Sequence, residues 1–230
     1  MHRLILFDVD QTLISTRGGD RKALNIAFKE LYGIENAFER ISFGGRMDLS
    51  IMAEVYSHWG VEEDGQGLGD FKARYFELLD EVLVDWESGI VCPGALALLR
   101  ALESEAGVQM GLATGNFRES AFIKLRKYGL DGFFVAGGFG GDHPERPDVV
   151  ADAIAKCQAL SGNVYEREEI FVIGDSISDV EAGRANEVNS VAVATGHYDS
   201  ETLRALAPTF VFEDLSDTER VLEALLGRGG

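Results

Sequence analysis

A chain of 230 residues, 46% hydrophobic and 26% charged, can bury roughly 70% of its unfolded surface as one large domain or a core with a smaller insert. Its 21 basic and 39 acidic residues give a net charge of −18, which excludes nucleic-acid binding as a first reading, because that affinity rests on Lys and Arg at phosphates. No run approaches the ~18 consecutive apolar residues of a membrane span, and Cys92 and Cys157 alone make neither a disulfide framework nor a zinc spacing.

In chain order, the apolar run at residues 4–7 reads as a strand buried on both faces of a parallel sheet. It ends at Asp8, too early for a signal peptide, and two reduced thiols fit a cytoplasmic protein. Residues 18–89 then carry helical patterns at 21–31, 48–59 and 70–86, with a Gly-rich loop at 60–69. A helix follows at 93–102, opened by Pro93. Then come a strand at 108–113, a helix at 121–128 stopped by Gly129, and a helix at 147–160. Further strands are expected at 170–173 and 190–194, with a weaker one at 209–212. The tail at 227–230 reads as frayed. Strands alternating with helices imply an α/β fold with a doubly wound, Rossmann-like parallel sheet. The expected division is a core of residues 1–15 and 90–230 and a small helical insert of 16–89.

Asp8 and Asp10 leave the first strand, where ligands bind in parallel sheets. Asp175 leaves the strand at 170–173, and Asp179 falls in the first turn of the next helix, with Ser178 as a possible cap. A cap alone is the plainer reading of Asp179. Four acids at two strand ends repel unless a cation sits among them, and oxygen donors suit Mg²⁺. The strand at 108–113 runs into Thr114-Gly115-Asn116, which reads equally as a phosphate-binding corner or a helix cap.

With these residues in place, the chain resembles the haloacid dehalogenase superfamily, in its phosphoglycolate phosphatase and β-phosphoglucomutase-like branch with a helical cap. The D-x-D-x-T-L motif is Asp8 to Leu13, with Gln11 where the family usually has Gly. Thr114 matches the second motif, and Gly174 to Asp179 matches G-D-x-x-x-D. In the third motif, Arg146 before Pro147 takes the slot of the usual Lys; Arg keeps the charge but brings a planar fork. Lys124 or Arg118 is the alternative source of that cation.

The resemblance implies a Mg²⁺-dependent phosphatase that acts on a small phosphorylated metabolite. Asp8 would be the nucleophile that forms an aspartyl phosphate, and Asp10 the general acid and base. Asp8, the Asp10 main chain, Asp175 and Asp179 would hold the metal. Thr114, Gly115, Asn116 and Arg146 would bind the phosphoryl group. The insert would be the cap, with Arg46 and Arg17 as candidates for a second anionic group, against the plain reading of solvated arginines. His58, His197 and Trp59 read as structural, and the Gly-rich stretch at 137–141 as a loop leading to Arg146. A phosphomutase would use the same residues, and a receiver-type phospho-acceptor domain is the non-enzymatic alternative. Neither a nucleic-acid nor a membrane partner is expected, and nothing in the sequence chooses between a monomer and a dimer.

Overall fold

The apolar run of the first strand has two partners to satisfy, one on each face. In the computed structural model, which describes residues 2–62 and 65–227, β1 (Arg3–Phe7) lies inside a six-stranded parallel sheet. Ile5 and Phe7 point into one apolar cluster, with α4 (Ala95–Glu103), α5 (Arg118–Lys127) and α9 (Thr218–Leu226). Leu4 and Leu6 point into the other, with α6 (Arg146–Ser161) and α7 (Ile177–Ala185). All four side chains are fully buried, each worth roughly 1.5–3 kcal/mol. This is why the run does not alternate with polar residues.

The remaining strands are β4 (Val108–Thr114), β5 (Gly137–Phe139), β6 (Ile170–Gly174), β7 (Asn189–Val193) and β8 (Phe210–Phe212), in the order β5-β4-β1-β6-β7-β8. The chain builds outward from β1 on one side through β4 and β5. It then crosses to build β6, β7 and β8 on the other, with α8 (Ser200–Ala205) between the last two. The topological switch falls at β1, so the carboxyl ends of β1, β4 and β6 open into one crevice.

Between β2 (Ile14–Ser15) and β3 (Ile90–Val91), a short antiparallel pair, the chain forms α1 (Gly19–Tyr32), α2 (Asp48–Trp59) and α3 (Gln66–Val84). These helices share an aromatic-rich cluster centred on Phe28, Phe38 and Phe71. Phe117, from the loop after β4, is buried in the same cluster and meets Phe76 edge-on.

Two expectations need correction. The stretch at 137–141 is not only a loop: Gly137–Phe139 is an edge strand paired with β4. Glycine is a poor strand former, but a Cβ at Gly138 would overlap the Val149 carbonyl of α6, so close helix packing dictates the residue. The third helix of the insert begins four residues before Asp70, at Gln66, with Gly65 in its N-cap position, so the Gly-rich loop is shorter than its composition suggests. Of the tail, Gly227 closes α9 in a left-handed conformation, and residues 228–230 lie outside the described residues. Cys92 and Cys157 are free and buried.

Candidate active site

The crevice gathers side chains that burial would keep apart without compensation. Asp8 follows β1 directly, its amide bonded to the Ile173 carbonyl of β6 at 2.9 Å. Asp175 follows β6, and Asp179 sits in the first turn of α7. Carboxylate oxygens of these three buried residues lie within 4.8 Å of one another. Burial, followed by the charges of Asp8 and Asp179, pushes Asp175 up to about 9. Burial also pushes Asp8 up to about 6, against the pull of Arg146. Asp175 meets the Thr12 hydroxyl at 3.5 Å. Clustered hard oxygen donors that resist shared ionisation fit a hard divalent cation such as Mg²⁺.

Asp179 serves the helix as well. The cap is Ser176 rather than Ser178: its hydroxyl accepts from the Asp179 amide, while Asp179 Oδ2 accepts from the Ser176 amide and hydroxyl at 3.1 and 2.6 Å. The other oxygen, Oδ1, accepts from Arg146 at 2.5 Å. Both oxygens are thus engaged, which leaves Asp8 and Asp175 as the more open carboxylates of the cluster.

Arg146, the first residue of α6, is buried at the centre of the crevice. Its Nη2 reaches Asp8 Oδ1 at 2.9 Å, Asp179 Oδ1 at 2.5 Å and the Ala113 carbonyl at 2.8 Å. The planar fork is not what these contacts use: one terminal nitrogen makes all three, and Nε is buried without a partner. Desolvation opposes its charge, but the two carboxylates outweigh it and hold the guanidinium charged.

A second buried cation stands across the cavity. Lys124 of α5 donates to Asp10 Oδ2 at 2.7 Å and to Asn116 Oδ1 at 2.6 Å, and it lies 3.6 Å from Asp20 Oδ2 at the start of α1. Burial opposes its charge, yet Asp10 and Asp20 raise its pKa well above the usual value. Arg118, the other alternative cation, instead packs over the Phe122 and Phe139 rings. The Asn116 carboxamide is engaged internally, donating to Asp10 Oδ2 at 2.8 Å and to Thr114 Oγ1 at 3.0 Å. Its side chain therefore braces Asp10.

The insert closes the cavity, of about 240 Å³, from above. The Asp48 amide donates to the Gly115 carbonyl at 2.7 Å, and the Phe117 amide donates back to Asp48 Oδ2 at 2.7 Å. Burial pushes Asp48 up to about 6. A Cβ on Gly115 would overlap the Arg46 carbonyl, so only glycine admits this approach. Arg46 and Arg17 both line the cavity. The Arg46 guanidinium is held by Glu54 at 2.5 Å, whereas Arg17 is exposed and left-handed, with φ 48°. Gln11 is also left-handed, with φ 64°, which accounts for Gly at this position in the family pattern. His197, read as structural, lines the cavity beside Gly44.

Lys124 carried a sequence signal. Ser120, Ala121, Lys124 and Leu125 are the buried positions of α5, so the lysine interrupts an apolar stripe at helical spacing. Asp20 and Asp48 carried none beyond the ordinary preference for acids in a first helical turn.

Comparison with known proteins agrees with this geometry. A family model described as haloacid dehalogenase-like hydrolase matches residues 2–186, and a second, HAD-hydrolase-like, matches residues 155–218. The pyrophosphatase PpaX of Listeria monocytogenes serotype 4b is 26% identical over 214 residues, covering 93% of each chain. The phosphoglycolate phosphatase of Pseudomonas fluorescens is 29% identical over 222 residues, 93% of this chain and 77% of that one. The fold is also that of CbbY from Rhodobacter sphaeroides, solved in complex with phosphate: TM-score 0.74, 20% identity, covering 94% of this chain and 96% of that one.

Proposed function

The chain belongs to the haloacid dehalogenase-like hydrolase family, and we propose that it is a Mg²⁺-dependent phosphatase that hydrolyses a small phosphate monoester through an aspartyl phosphate on Asp8. The observation that carries this reading is the pairing of two carboxylates with two buried cations: Asp8 on Arg146 and Asp10 on Lys124. One carboxylate is held to attack, the other to exchange a proton. Asp8 Oδ1 is taken by Arg146, and among the described residues Oδ2 has no hydrogen-bond partner. That oxygen attacks phosphorus while the bond to the ester oxygen breaks. The leaving oxygen takes a proton from Asp10. Asp10 then takes one from the water that attacks the phosphorus of the acyl phosphate, which frees inorganic phosphate and restores Asp8.

Asp8, Asp175 and the Asp10 main-chain carbonyl would hold Mg²⁺, with Asp179 behind them; when bound, the ion supplies the positive charge that lets an anionic nucleophile approach an anionic ester. Arg146 balances the nucleophile and the developing charge beside it. The insert lines the cavity beside the core, in the manner of a cap. A cavity of about 240 Å³ favours a short leaving group. Phosphoglycolate and inorganic pyrophosphate, named by the two curated relatives, are the first substrates to try.

Phosphate release from phosphoglycolate, pyrophosphate, sugar phosphates and nucleotides, with Mg²⁺ and with chelator, tests the reading. Turnover of a small substrate that chelator abolishes supports it; chelator-insensitive turnover would overturn the metal assignment. Transfer to a second hydroxyl of the substrate without free phosphate would indicate a phosphomutase instead. The receiver-type alternative gains no support, because the hydrolase family match runs through the insert as well.

A further inference from the structure

We propose that Lys124 is a positioning residue for Asp10: its ammonium, shared between the core and the insert, pins one oxygen of the Asp10 carboxylate and leaves the other to meet the leaving group. The proposal rests on the reading of Asp10 as general acid and base, and adds what sets its orientation.

An ammonium has three donors, and burying one leaves each in need of an acceptor. Lys124 donates to Asp10 in the loop after β1 and to Asn116 in the loop after β4, and its charge faces Asp20, in the first turn of α1, across 3.6 Å. The two buried cations therefore divide the work, Arg146 at the nucleophile and Lys124 at the acid/base.

The pinning is selective. Asp10 Oδ2 accepts from both Lys124 and Asn116 Nδ2, at 2.7 and 2.8 Å. Asn116 cannot turn its amide over without losing its bonds to Lys124 and Asp10, one a pure donor and the other an acceptor. Among the described residues, Asp10 Oδ1 has no hydrogen-bond partner, and Asp10 lines the cavity. A carboxylate fixed at one oxygen by two donors presents the other in a defined direction, and proton transfer requires such alignment.

The ion pair with Asp20 ties this arrangement to the insert. Asp20 is braced by the Thr16 hydroxyl and the Arg21 amide, each at 2.8 Å, and so carries its carboxylate wherever α1 goes. Lys124 is almost wholly buried, at 3% exposure, because the insert covers it. With the insert seated, its position is set from both sides. With the insert displaced, the ion pair with Asp20 is removed and the head group meets water. The clamp on Asp10 is complete only in the closed arrangement.

The test compares an alkyl with an aryl phosphate, since an aryl leaving group needs little protonation. Steady-state kcat and KM are measured for wild type, Lys124→Met, Lys124→Gln, Asn116→Ala and Asp20→Asn, with Asp10→Asn alongside. Misplacing an acid by about an ångström can cost on the order of 10²-fold. Lys124→Met and Asn116→Ala should therefore lose about 10–100-fold in kcat/KM on the alkyl ester, since kcat/KM reports the step in which the leaving group departs and kcat can be limited by hydrolysis of the shared aspartyl phosphate. That loss should exceed the loss in kcat/KM on the aryl ester by about ten-fold or more. Asp20→Asn should show the same bias at smaller amplitude. If Lys124→Met does not fold, Lys124→Gln and Asn116→Ala carry the comparison. Equal losses on both esters would reduce Lys124 to a structural role and overturn the proposal, as would no loss at all. If Asp10→Asn shows the alkyl bias and the other variants do not, the positioning role alone fails. If Asp10→Asn lacks it too, the acid/base reading of Asp10 fails and takes the positioning role with it.

Discussion

Removing Arg146 should do two separable things. Its Nη2 faces carboxylates of Asp8 and Asp179 at 2.9 and 2.5 Å inside the crevice. At an effective dielectric of ~20, unit charges ~4 Å apart attract by about 4 kcal/mol, and the cost of desolvating all three groups offsets much of the sum. Taking away one partner of such a buried set typically costs about 3–5 kcal/mol, because the others remain buried and unpaired. Arg146→Ala should thus lower the stability of the metal-free protein by roughly that amount, read by denaturant unfolding at pH 7. The second effect is chemical. Burial already pushes Asp8 up to about 6 with Arg146 in place; without it, a larger share of the nucleophile is protonated at neutral pH. Losing one preorganised cation at the reacting centre should cost about 10²–10³-fold in kcat/KM. Arg146→Lys should recover most of both, to within about ten-fold in kcat/KM, because the three contacts converge on one terminal nitrogen, as an ammonium's do. An Arg146→Ala variant within about three-fold of wild type in kcat/KM would refute the placement of this cation at the reacting centre.

Asp175→Asn should stabilise the metal-free protein, increasingly as pH rises. The folded carboxyl is pushed up to about 9, so the fold carries no cost from it near pH 4 and a growing cost between pH 4 and 9. The gain in unfolding free energy, read by denaturant titration, should be near zero at pH 4 and of the order of a few kcal/mol at pH 8; a gain that is flat with pH would contradict this. Mg²⁺ should raise the melting temperature of wild type in a concentration-dependent way and that of Asp175→Asn much less, as scanning calorimetry would read. Gly115→Ala should prevent the insert from seating, because its methyl would overlap the Arg46 carbonyl. A fall in kcat/KM of about ten-fold or more is expected, with a stability loss of about 1–3 kcal/mol; wild-type kinetics would show that the insert tolerates the change.

The sheet was legible because parallel strands buried on both faces leave short unbroken apolar runs. Those at 4–7 and 170–173 fall inside β1 and β6, and the run at 108–113, broken by Gln109, falls inside β4. The acids at their carboxyl ends were legible for the same topological reason. Gly137–Phe139 was not, since its identity comes from the close approach of α6 rather than from any strand preference of glycine. Lys124 was harder still. The helix R-E-S-A-F-I-K-L-R-K carries charge at five of its ten positions, and only its spacing from the buried Ala121 and Leu125 distinguishes the inward Lys124 from the exposed Lys127. Its partners Asp10, Asn116 and Asp20 are far apart in sequence and meet only through the crossovers of the sheet and the placement of α1. Site residues next to strand ends are local consequences of the fold, whereas the second cation is a tertiary one.

Covalent catalysis by Asp8 is tested most directly by rapid mixing of Asp10→Asn with an aryl phosphate, acid quench and peptide mass analysis. The good leaving group should let the aspartyl phosphate form, while the missing base slows its hydrolysis by about 10²–10⁴-fold. A burst of aryl alcohol equal to the enzyme concentration is expected, with a phosphoryl group on the peptide that carries Asp8. Steady turnover with no burst, or a phosphoryl group on any other residue, would contradict covalent catalysis by Asp8.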